Sequence, residues 1–423
     1  MTRKLLVIGY CFPPTASPEA FVTAKLLHHL SRQKNISVDV ISLEALAVAG
    51  YSDFEAGRYA KEHLNHLEEI AQPQLVRWMT GLSRLPLRPD RWVLMHCVVK
   101  RRAREMICAN NYDVLITRSQ YHSAHLVGLD LKKEFPDLPW IACFSDPWSG
   151  ADHQKTIPLF SSWSTRQERK VLEAADRLVF PTDGLRDFMT NALFRLISKS
   201  ITLPHSFDPA LYAVDEHLAR FDGAEENPVD EVIRFRLFGS FYGARHPEIL
   251  LKALDHIKVP KGKRVSFEIY GNPHEAYKGY NGQRSSASSD KVEVGYMGIV
   301  PHTEALRLMG EADFLVTIDA PQDGVSFYLP SKLVDYIGSG SALVAICSEG
   351  TVARLTESAG GTVIKNFDPA EIADTFQRLI DFPEEGKKKS MIDTHVFESG
   401  NVAKMMAKQI EALIQDRICS TSV

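Results

Sequence analysis

Short apolar runs alternate with amphipathic stretches of helical period along the first half of the chain. The apolar runs predict strands at residues 4–8, 38–42, 114–117, 140–144 and 177–180. Amphipathic stretches such as 18–30 predict helices between them, and Ser17 is placed to cap this first one. Parallel strands that are buried on both faces have this continuous apolar character, and helices join them. The order therefore predicts a doubly wound α/β domain of about 200 residues.

The same alternation starts again after an acidic, loop-rich interval. It predicts strands at 233–238, 265–270, 314–318, 342–346 and 362–364, with helices between them. The chain is therefore expected to have four parts. They are an α/β domain at 1–205, a linker at 206–230, a second α/β domain at 231–395, and an amphipathic helix at 396–423 that is able to cross back to the first domain.

The composition is that of a globular protein, with 44% hydrophobic and 24% charged residues in a chain of 423. Lys and Arg total 49 against 53 Asp and Glu, so the formal charge of −4 gives no reason to expect nucleic acid as a partner. No apolar run reaches the roughly 18 residues of a membrane-spanning helix, and the N-terminal run is too short for a signal peptide. Six cysteines stand singly without CxxC spacing, which favours buried free thiols in the cytoplasm over zinc or redox chemistry.

The first strand of the second half ends in glycine, in the run 239–245. A glycine at such a strand end lets the backbone approach an anion, and the N-terminus of the next helix offers free N–H groups. Gly239 and Arg245 are therefore candidates for phosphate binding. A plain turn with a solvent-exposed arginine is the competing interpretation, because glycine-rich loops match such patterns by chance.

A second candidate site begins a helix in the run 330–336. Ser331 and Lys332 fall in its first turn, where a lone cation opposes the helix dipole, so a lysine there suggests a neighbouring anion. Asp335, one turn later, is able to accept hydrogen bonds from ribose hydroxyls. The alternative is a surface lysine and aspartate on a capped helix. The position at the carboxyl end of a strand favours ligand binding.

Short motifs follow one another in a characteristic order along both halves. They lie at 12–14, 146–148, 203–208, 239–245, 269–271, 298–301, 312–313 and 329–335. In this order the chain resembles the GT-B fold glycosyltransferases of the family 4 type, which are retaining, nucleotide-sugar-dependent enzymes with two Rossmann-like domains facing a cleft. The resemblance implies a hexosyltransferase-type enzyme that moves a sugar from a nucleotide-diphosphate sugar to an acceptor hydroxyl in polysaccharide or glycoconjugate biosynthesis.

The resemblance also implies roles for the candidates in the second half. Arg245 and Lys332 would hold the donor diphosphate and Asp335 the ribose, with neither a cofactor nor a metal ion. One departure is Phe327, which stands eight residues before Asp335 where the family usually has an acid. Asp319 or Asp323 would then approach the donor in place of the missing acid. Two alternatives stay open: a nucleotide-sugar 2-epimerase, and a catalytically silent nucleotide-sugar-binding or scaffold protein.

The resemblance places the acceptor on the first domain. Asp146 follows the strand at 140–144, in a loop where a base needs only hydrogen-bond reach of the acceptor hydroxyl. An aspartate that caps the turn before the next proline is an equal alternative. His122 and His125 follow an earlier strand, where family members often carry a sugar-contacting histidine. The sequence does not choose between them, and His125 is taken with Asp146 as the catalytic pair.

Residues 71–104 form a basic stretch with eight cations and one acid, a net charge of +7. Tryptophan and leucine residues interleave with the cations, as in segments that bind an anionic membrane surface. Such a surface would hold a cytoplasmic enzyme at the inner face of the membrane, beside a lipid-linked acceptor. A solvated helical face with core tryptophans is a comparable alternative.

Overall fold

The computed structural model describes residues 2–45, 51–80, 87–149, 158–212, 231–241, 247–272, 290–319 and 325–421. The chain forms two compact units, Met1–Ser206 together with Val396–Val423, and Phe207–His395. The first unit thus ends one residue beyond the predicted end of the first domain. Most of the predicted linker, from residue 213 to 230, lies outside the described residues.

The first unit is built on a parallel sheet. Its strands are β1 (Arg3–Gly9), β2 (Ile36–Leu43), β3 (His66–Ile70), β4 (Val114–Arg118), β5 (Trp140–Cys143), β6 (Arg177–Phe180) and β7 (Ser200–Thr202). They lie in the order β3-β2-β1-β4-β5-β6-β7. Every neighbouring pair is parallel, as the long apolar runs of the central strands predict.

The second unit repeats this plan. Its strands are β8 (Glu231–Phe238), β9 (Lys263–Tyr270), β10 (Glu293–Gly298), β11 (Phe314–Ile318), β12 (Ala342–Ile346) and β13 (Thr362–Ile364). They form a parallel sheet in the order β10-β9-β8-β11-β12-β13. In each sheet the direction in which successive strands are added changes once, between β1 and β4 in the first sheet and between β8 and β11 in the second. This position is the switch point of the sheet. Sheets of this kind bind ligands at the carboxyl ends of the strands beside that switch point.

Helices connect the strands. Those of the described residues are α1 (Pro18–Ser31), α2 (Phe54–Lys61), α3 (Gln74–Thr80), α4 (His96–Ala109), α5 (Ser123–Glu134), α6 (Pro158–Ala174), α7 (Asp183–Thr190), α8 (Phe194–Ile197), α9 (Glu248–Asp255), α10 (His302–Gly310), α11 (Ser331–Ser339), α12 (Thr351–Ser358), α13 (Pro369–Asp381) and α14 (Ser399–Thr421). The hydroxyl of Ser17 accepts the Ala20 N–H at 3.2 Å, which is the predicted cap of α1. None of these helices combines the length and apolarity needed to cross a bilayer.

Each unit has its own hydrophobic core. In the first, the apolar face of α14 packs into the core through residues such as Val402, Met406 and Ile410, and α14 contacts α1. The C-terminal helix therefore belongs to the first unit. In the second, phenylalanines of β8 and β9, and of β8 and β11, stack on one another, and Phe376 of α13 packs against them at a tilt. The predicted α/β class with two Rossmann-like sheets is confirmed.

Candidate active site

Glycines end the first two strands of the second sheet. Gly239 follows β8 with a φ of +136°, and Gly271 follows β9 with a φ of +154°. The N–H of Gly239 donates to the Tyr270 carbonyl at 2.8 Å, and a Cβ on Gly271 would lie 2.2 Å from the Gly239 carbonyl oxygen. Only glycine fits both the backbone conformation and this close approach. At the two strand ends the backbone therefore carries no side chain at residues 239 and 271.

The side chain of Lys332 lies over the first of these strand ends. A Cβ on Gly239 would be 2.2 Å from Lys332 Nζ and 3.4 Å from its Cε, so the ammonium occupies the space that a side chain at residue 239 would need. Lys332 is the second residue of α11, and no side chain caps that helix because Pro330 is its N-cap residue. Ser331 is half-buried beside it. The first turn of α11 thus provides a cation against this strand end, an arrangement that suits a diphosphate.

Asp335 is buried, with 5% of its surface exposed. Its backbone carbonyl accepts the Tyr212 hydroxyl at 2.8 Å. Burial, with Asp335 and Asp208 nearby, raises the pKa of Tyr212 well above its usual value, so this phenol stays protonated. The structure brings Gly239, Lys332 and the helix of Asp335 together. The binding roles given to these residues and to Ser331 stay predictions, and Arg245 lies outside the described residues.

The segment before α11 is held by buried polar groups. Asp319, directly after β11, is 1% exposed, and its Oδ2 accepts the Ser326 hydroxyl at 3.1 Å. The backbone of Ser326 bonds Glu349 and Thr351, and a Cβ on Gly350 would lie 2.1 Å from the Ser326 carbonyl oxygen. Asp319 therefore orders the chain that leads to Phe327. Asp323, the other acid considered, lies outside the described residues.

Asp146 lies in the first unit, three residues after β5. It is half-buried, and its Oδ2 accepts the Gln120 amide at 3.3 Å. Gln120 follows β4, so the contact joins two neighbouring strand ends at the carboxyl edge of the first sheet. This is the edge at which the sequence analysis placed Asp146. Its proposed contact with an acceptor stays a prediction.

The sequence analysis missed a buried polar network at the first switch point. Arg118, the last residue of β4, donates to Glu19 at 3.0 Å and to Thr23 at 2.8 Å, and Ser145 donates to the other Glu19 oxygen at 2.7 Å. Burial raises the pKa of Glu19 despite Arg118, while the nearby Asp146 raises it further. The one sequence signal was an acid in the first turn of α1, which also has an ordinary helix-dipole explanation.

His125 lies inside the first unit with none of its surface exposed. Its Nδ1 is 2.8 Å from the Thr117 hydroxyl, which also accepts the Trp140 indole N–H at 2.9 Å. Burial lowers the pKa of His125 well below its usual value, and the neighbouring His122 and Arg118 lower it further. The imidazole is therefore neutral and covered by protein. A catalytic role for His125 stays a prediction, and this setting is typical of a structural histidine.

The cations of α4 are paired with acids. Lys100 lies 2.6 Å from Glu134, Arg104 lies 3.2 Å from the same carboxylate, and Arg102 lies 3.0 Å from Glu68. These acids come from β3 and α5, outside residues 71–104. The positive charge of α4 is therefore largely balanced in space, which favours the solvated-face interpretation for this helix.

Helix α3, in the same stretch, is different. It has no buried residue. Leu75 is 67% exposed and Trp78 is 66% exposed, with Arg77 between them. Residues three apart share one face of a helix, so α3 presents an apolar pair beside a cation. Part of the basic stretch, residues 81–86, lies outside the described residues.

Comparisons with known proteins bear on the fold. No family model and no curated protein matches the chain. Solved structures match almost its whole length. They include HepE of Anabaena with UDP and glucose (14% identity, TM-score 0.63, 97% of this chain and 100% of that one), a glycosyltransferase of Rickettsia africae (12%, 0.61, 98% and 99%) and sucrose-phosphate synthase of Thermosynechococcus elongatus (14%, 0.68, 98% and 100%).

The fold is GT-B. At these identities the likeness establishes the fold only, and the chemistry has to be inferred from the residues of the site. Epimerases share it as well, because UDP-GlcNAc 2-epimerase of Neisseria meningitidis, bound to UDP-GlcNAc, also matches. In this GT-B chain the glycine strand end and the cation lie on the second unit, at Gly239 and Lys332.

Proposed function

We propose that this GT-B protein is a glycosyltransferase that moves a sugar from a nucleotide-diphosphate sugar to an acceptor hydroxyl in polysaccharide or glycoconjugate biosynthesis. The observation that carries the proposal is the ammonium of Lys332 against Gly239 at the carboxyl edge of the second sheet. The donor diphosphate lies there, between the glycine backbone and the first turn of α11. Structures with this fold that were crystallised with UDP, such as HepE of Anabaena, support it.

The chemistry follows from charge. When the bond between sugar and phosphate breaks, the leaving nucleoside diphosphate gains negative charge, which a fixed ammonium and a helix N-terminus stabilise without reorganisation. Lys332 thus supplies the positive charge that a divalent cation supplies in other transferases, and we propose that no metal ion is needed. Asp146 orients the acceptor hydroxyl. The sugar keeps its anomeric configuration, as the resemblance implies.

The test is a panel of UDP, GDP, ADP and CDP sugars, offered to the full chain with glycan and lipid-linked acceptors. We expect acceptor-dependent release of one nucleoside diphosphate, unchanged by EDTA and lost in Lys332→Met. The anomeric configuration of the product is read by NMR. Failure to bind or consume any member of the panel contradicts the proposal, and loss of activity with EDTA contradicts metal independence alone.

The same panel separates the two alternatives. A 2-epimerase, suggested by the shared fold, converts one nucleotide sugar to its epimer without an acceptor. A silent binding protein, suggested by Phe327 in place of the usual acid, binds the donor and consumes none of it even when acceptors and membranes are supplied.

We further propose that α3 holds the enzyme at an anionic membrane surface on the cytoplasmic side. The support is the exposed pair of Leu75 and Trp78 beside Arg77, on a helix without a buried residue. Sedimentation with vesicles that contain phosphatidylglycerol should fall severalfold in Trp78→Ser. Vesicles of neutral lipid, and the variant Arg101→Ser at an arginine of α4 that lies 3.9 Å from Glu105, are the controls. Equal sedimentation of Trp78→Ser and the wild type contradicts this role.

A further inference from the structure

The two central strands of the second sheet separate before they end. β8 pairs with β9 along its whole length, up to Phe238 opposite Tyr270. β11 likewise pairs with β12 up to Ile318 opposite Ile346. Between β8 and β11, however, the ladder contains only Phe314 with Phe235 and Leu315 with Arg236. The sheet therefore opens at the switch point over the last residues of both strands.

The hydroxyl of Tyr336 fills this opening. It accepts the N–H of Phe238 at 2.8 Å, and the carbonyls of Val316 and Phe238 lie 3.3 Å and 3.4 Å away as acceptors for its proton. The hydroxyl thus bridges the separated strands and replaces part of the missing ladder. Tyr336 has none of its surface exposed, and burial raises its pKa, so the bridge stays protonated at physiological pH.

The bridge also fixes the helix that carries the cation. Tyr336 and Lys332 are four residues apart in α11 and share one face of it. Phe238, which donates to the tyrosine, directly precedes Gly239, against which Lys332 lies. One hydroxyl therefore sets the distance between the strand end and the first turn of α11, the two sides of the proposed diphosphate site.

We infer that Tyr336 is a positioning residue of the donor site: its hydroxyl holds the sheet open at the switch point and places Lys332 over Gly239. The inference rests on the proposed function. It adds that donor affinity depends on a side chain that does not touch the donor. A purely structural tyrosine would affect stability and leave the affinity of folded protein unchanged.

The experiment is titration calorimetry of the full chain with UDP, GDP, ADP and CDP. It compares the wild type with Tyr336→Phe, which keeps the ring and removes the hydroxyl. The matched control is Tyr112→Phe in the first unit, where the hydroxyl donates to Asp39 at 2.5 Å. We expect the dissociation constant of the bound nucleotide to rise about tenfold in Tyr336→Phe, the effect of roughly one lost hydrogen bond, and to stay unchanged in Tyr112→Phe.

A second comparison tests whether Tyr336 acts through Lys332. In a Lys332→Met background, Tyr336→Phe should weaken binding less than twofold further. Wild-type affinity in Tyr336→Phe, or the full tenfold loss in the Lys332→Met background, overturns the positioning role while the proposed function stands. A wild type that binds none of the nucleotides contradicts the proposed function and the inference with it.

Discussion

The two sheets share one strand order, yet their switch points differ. In the first unit β1 and β4 pair over five residues, up to Gly9 opposite Arg118, and the guanidinium of Arg118 is bound by Glu19 and Thr23 of α1. In the second unit the corresponding ladder has two pairs, and a cation lies over bare backbone at the strand end. The first switch point is closed by the protein's own groups, whereas the second, where the strands separate, is the open switch point at which we propose that an anion binds.

The charged groups at the two switch points are therefore expected to contribute to different properties of the protein. A buried ion pair that is satisfied within the protein is expected to govern stability. A lysine in the first turn of a helix is unfavourable beside the positive end of the helix dipole, so Lys332 is expected to contribute to ligand affinity rather than to stability. Substitutions at the two switch points should therefore separate stability from ligand affinity.

The largest effect is expected at the closed switch point. Glu19→Gln leaves the buried charge of Arg118 without its counter-ion, and we expect it to lower the free energy of unfolding by about 3 kcal/mol. Nucleotide affinity should stay as in the wild type. Chemical denaturation followed by circular dichroism measures the first quantity. Arg58→Gln, at an exposed arginine of the same unit, is the control and should change stability by less than about 0.5 kcal/mol. Stability equal to the wild type would show that the network is dispensable.

At the open switch point we expect the opposite result, a loss of nucleotide affinity with little change in stability. Lys332→Met should weaken nucleoside diphosphate binding about 100-fold, which is about 2.7 kcal/mol, because a charge-assisted contact is lost. Its stability should be unchanged or slightly higher, since a cation has been removed from a helix N-terminus. Calorimetric titration and thermal melting measure the two effects. A large loss of stability without loss of affinity would show that Lys332 stabilises the fold and does not bind the nucleotide.

Gly239→Ala tests the contact between strand end and cation. The added Cβ would displace the ammonium of Lys332, and we expect about tenfold weaker nucleotide binding, equivalent to about 1.4 kcal/mol. Gly262→Ala is its control, because Gly262 also has a positive φ, of +81°, but nothing lies within 4 Å of an added Cβ. The control measures backbone strain alone. If both variants bind equally well, the contact with Lys332 has no role in affinity.

A further prediction concerns pH and the first unit. Burial, with Arg118 and Lys25 nearby, lowers the pKa of His205 from 6.5 to about 3. Between these values the unfolded chain binds a proton that the folded chain does not, so stability falls as the pH is lowered from 6.5 toward 3, by at most about 1.4 kcal/mol per pH unit. Denaturation at several pH values should show a shallower slope in His205→Asn. An unchanged slope would assign the acid sensitivity to other groups.

Much of the fold was predictable because the central strands are buried on both faces. Strands β3, β7 and β10 were missed, and all three lie at sheet edges. An edge strand needs less continuous apolar sequence, and His66–Ile70 includes two glutamates. Periodicity therefore identifies the middle of such a sheet more readily than its margins.

The candidate site could be proposed from the sequence only where its chemistry depends on local sequence. Gly239 and Lys332, which the structure brings together, could be proposed because a glycine at a strand end and a cation at a helix start are visible in short runs. The bridge made by Tyr336 was not, since its partners are 20 and 98 residues away. The charge of α4 was misleading for the same reason, because its balancing acids come from other elements.

Hydrogen–deuterium exchange of the full chain, with and without the nucleoside diphosphate that binds most tightly, is the direct test of a donor site between the end of β8 and the first turn of α11. We expect slower exchange at the backbone amides of residues 238–241 and in the first turn of α11, with no change at the carboxyl ends of β1 and β4. Protection confined to the first unit, or absent from both strand ends at saturating nucleotide, would contradict the assignment of the donor site to the open switch point.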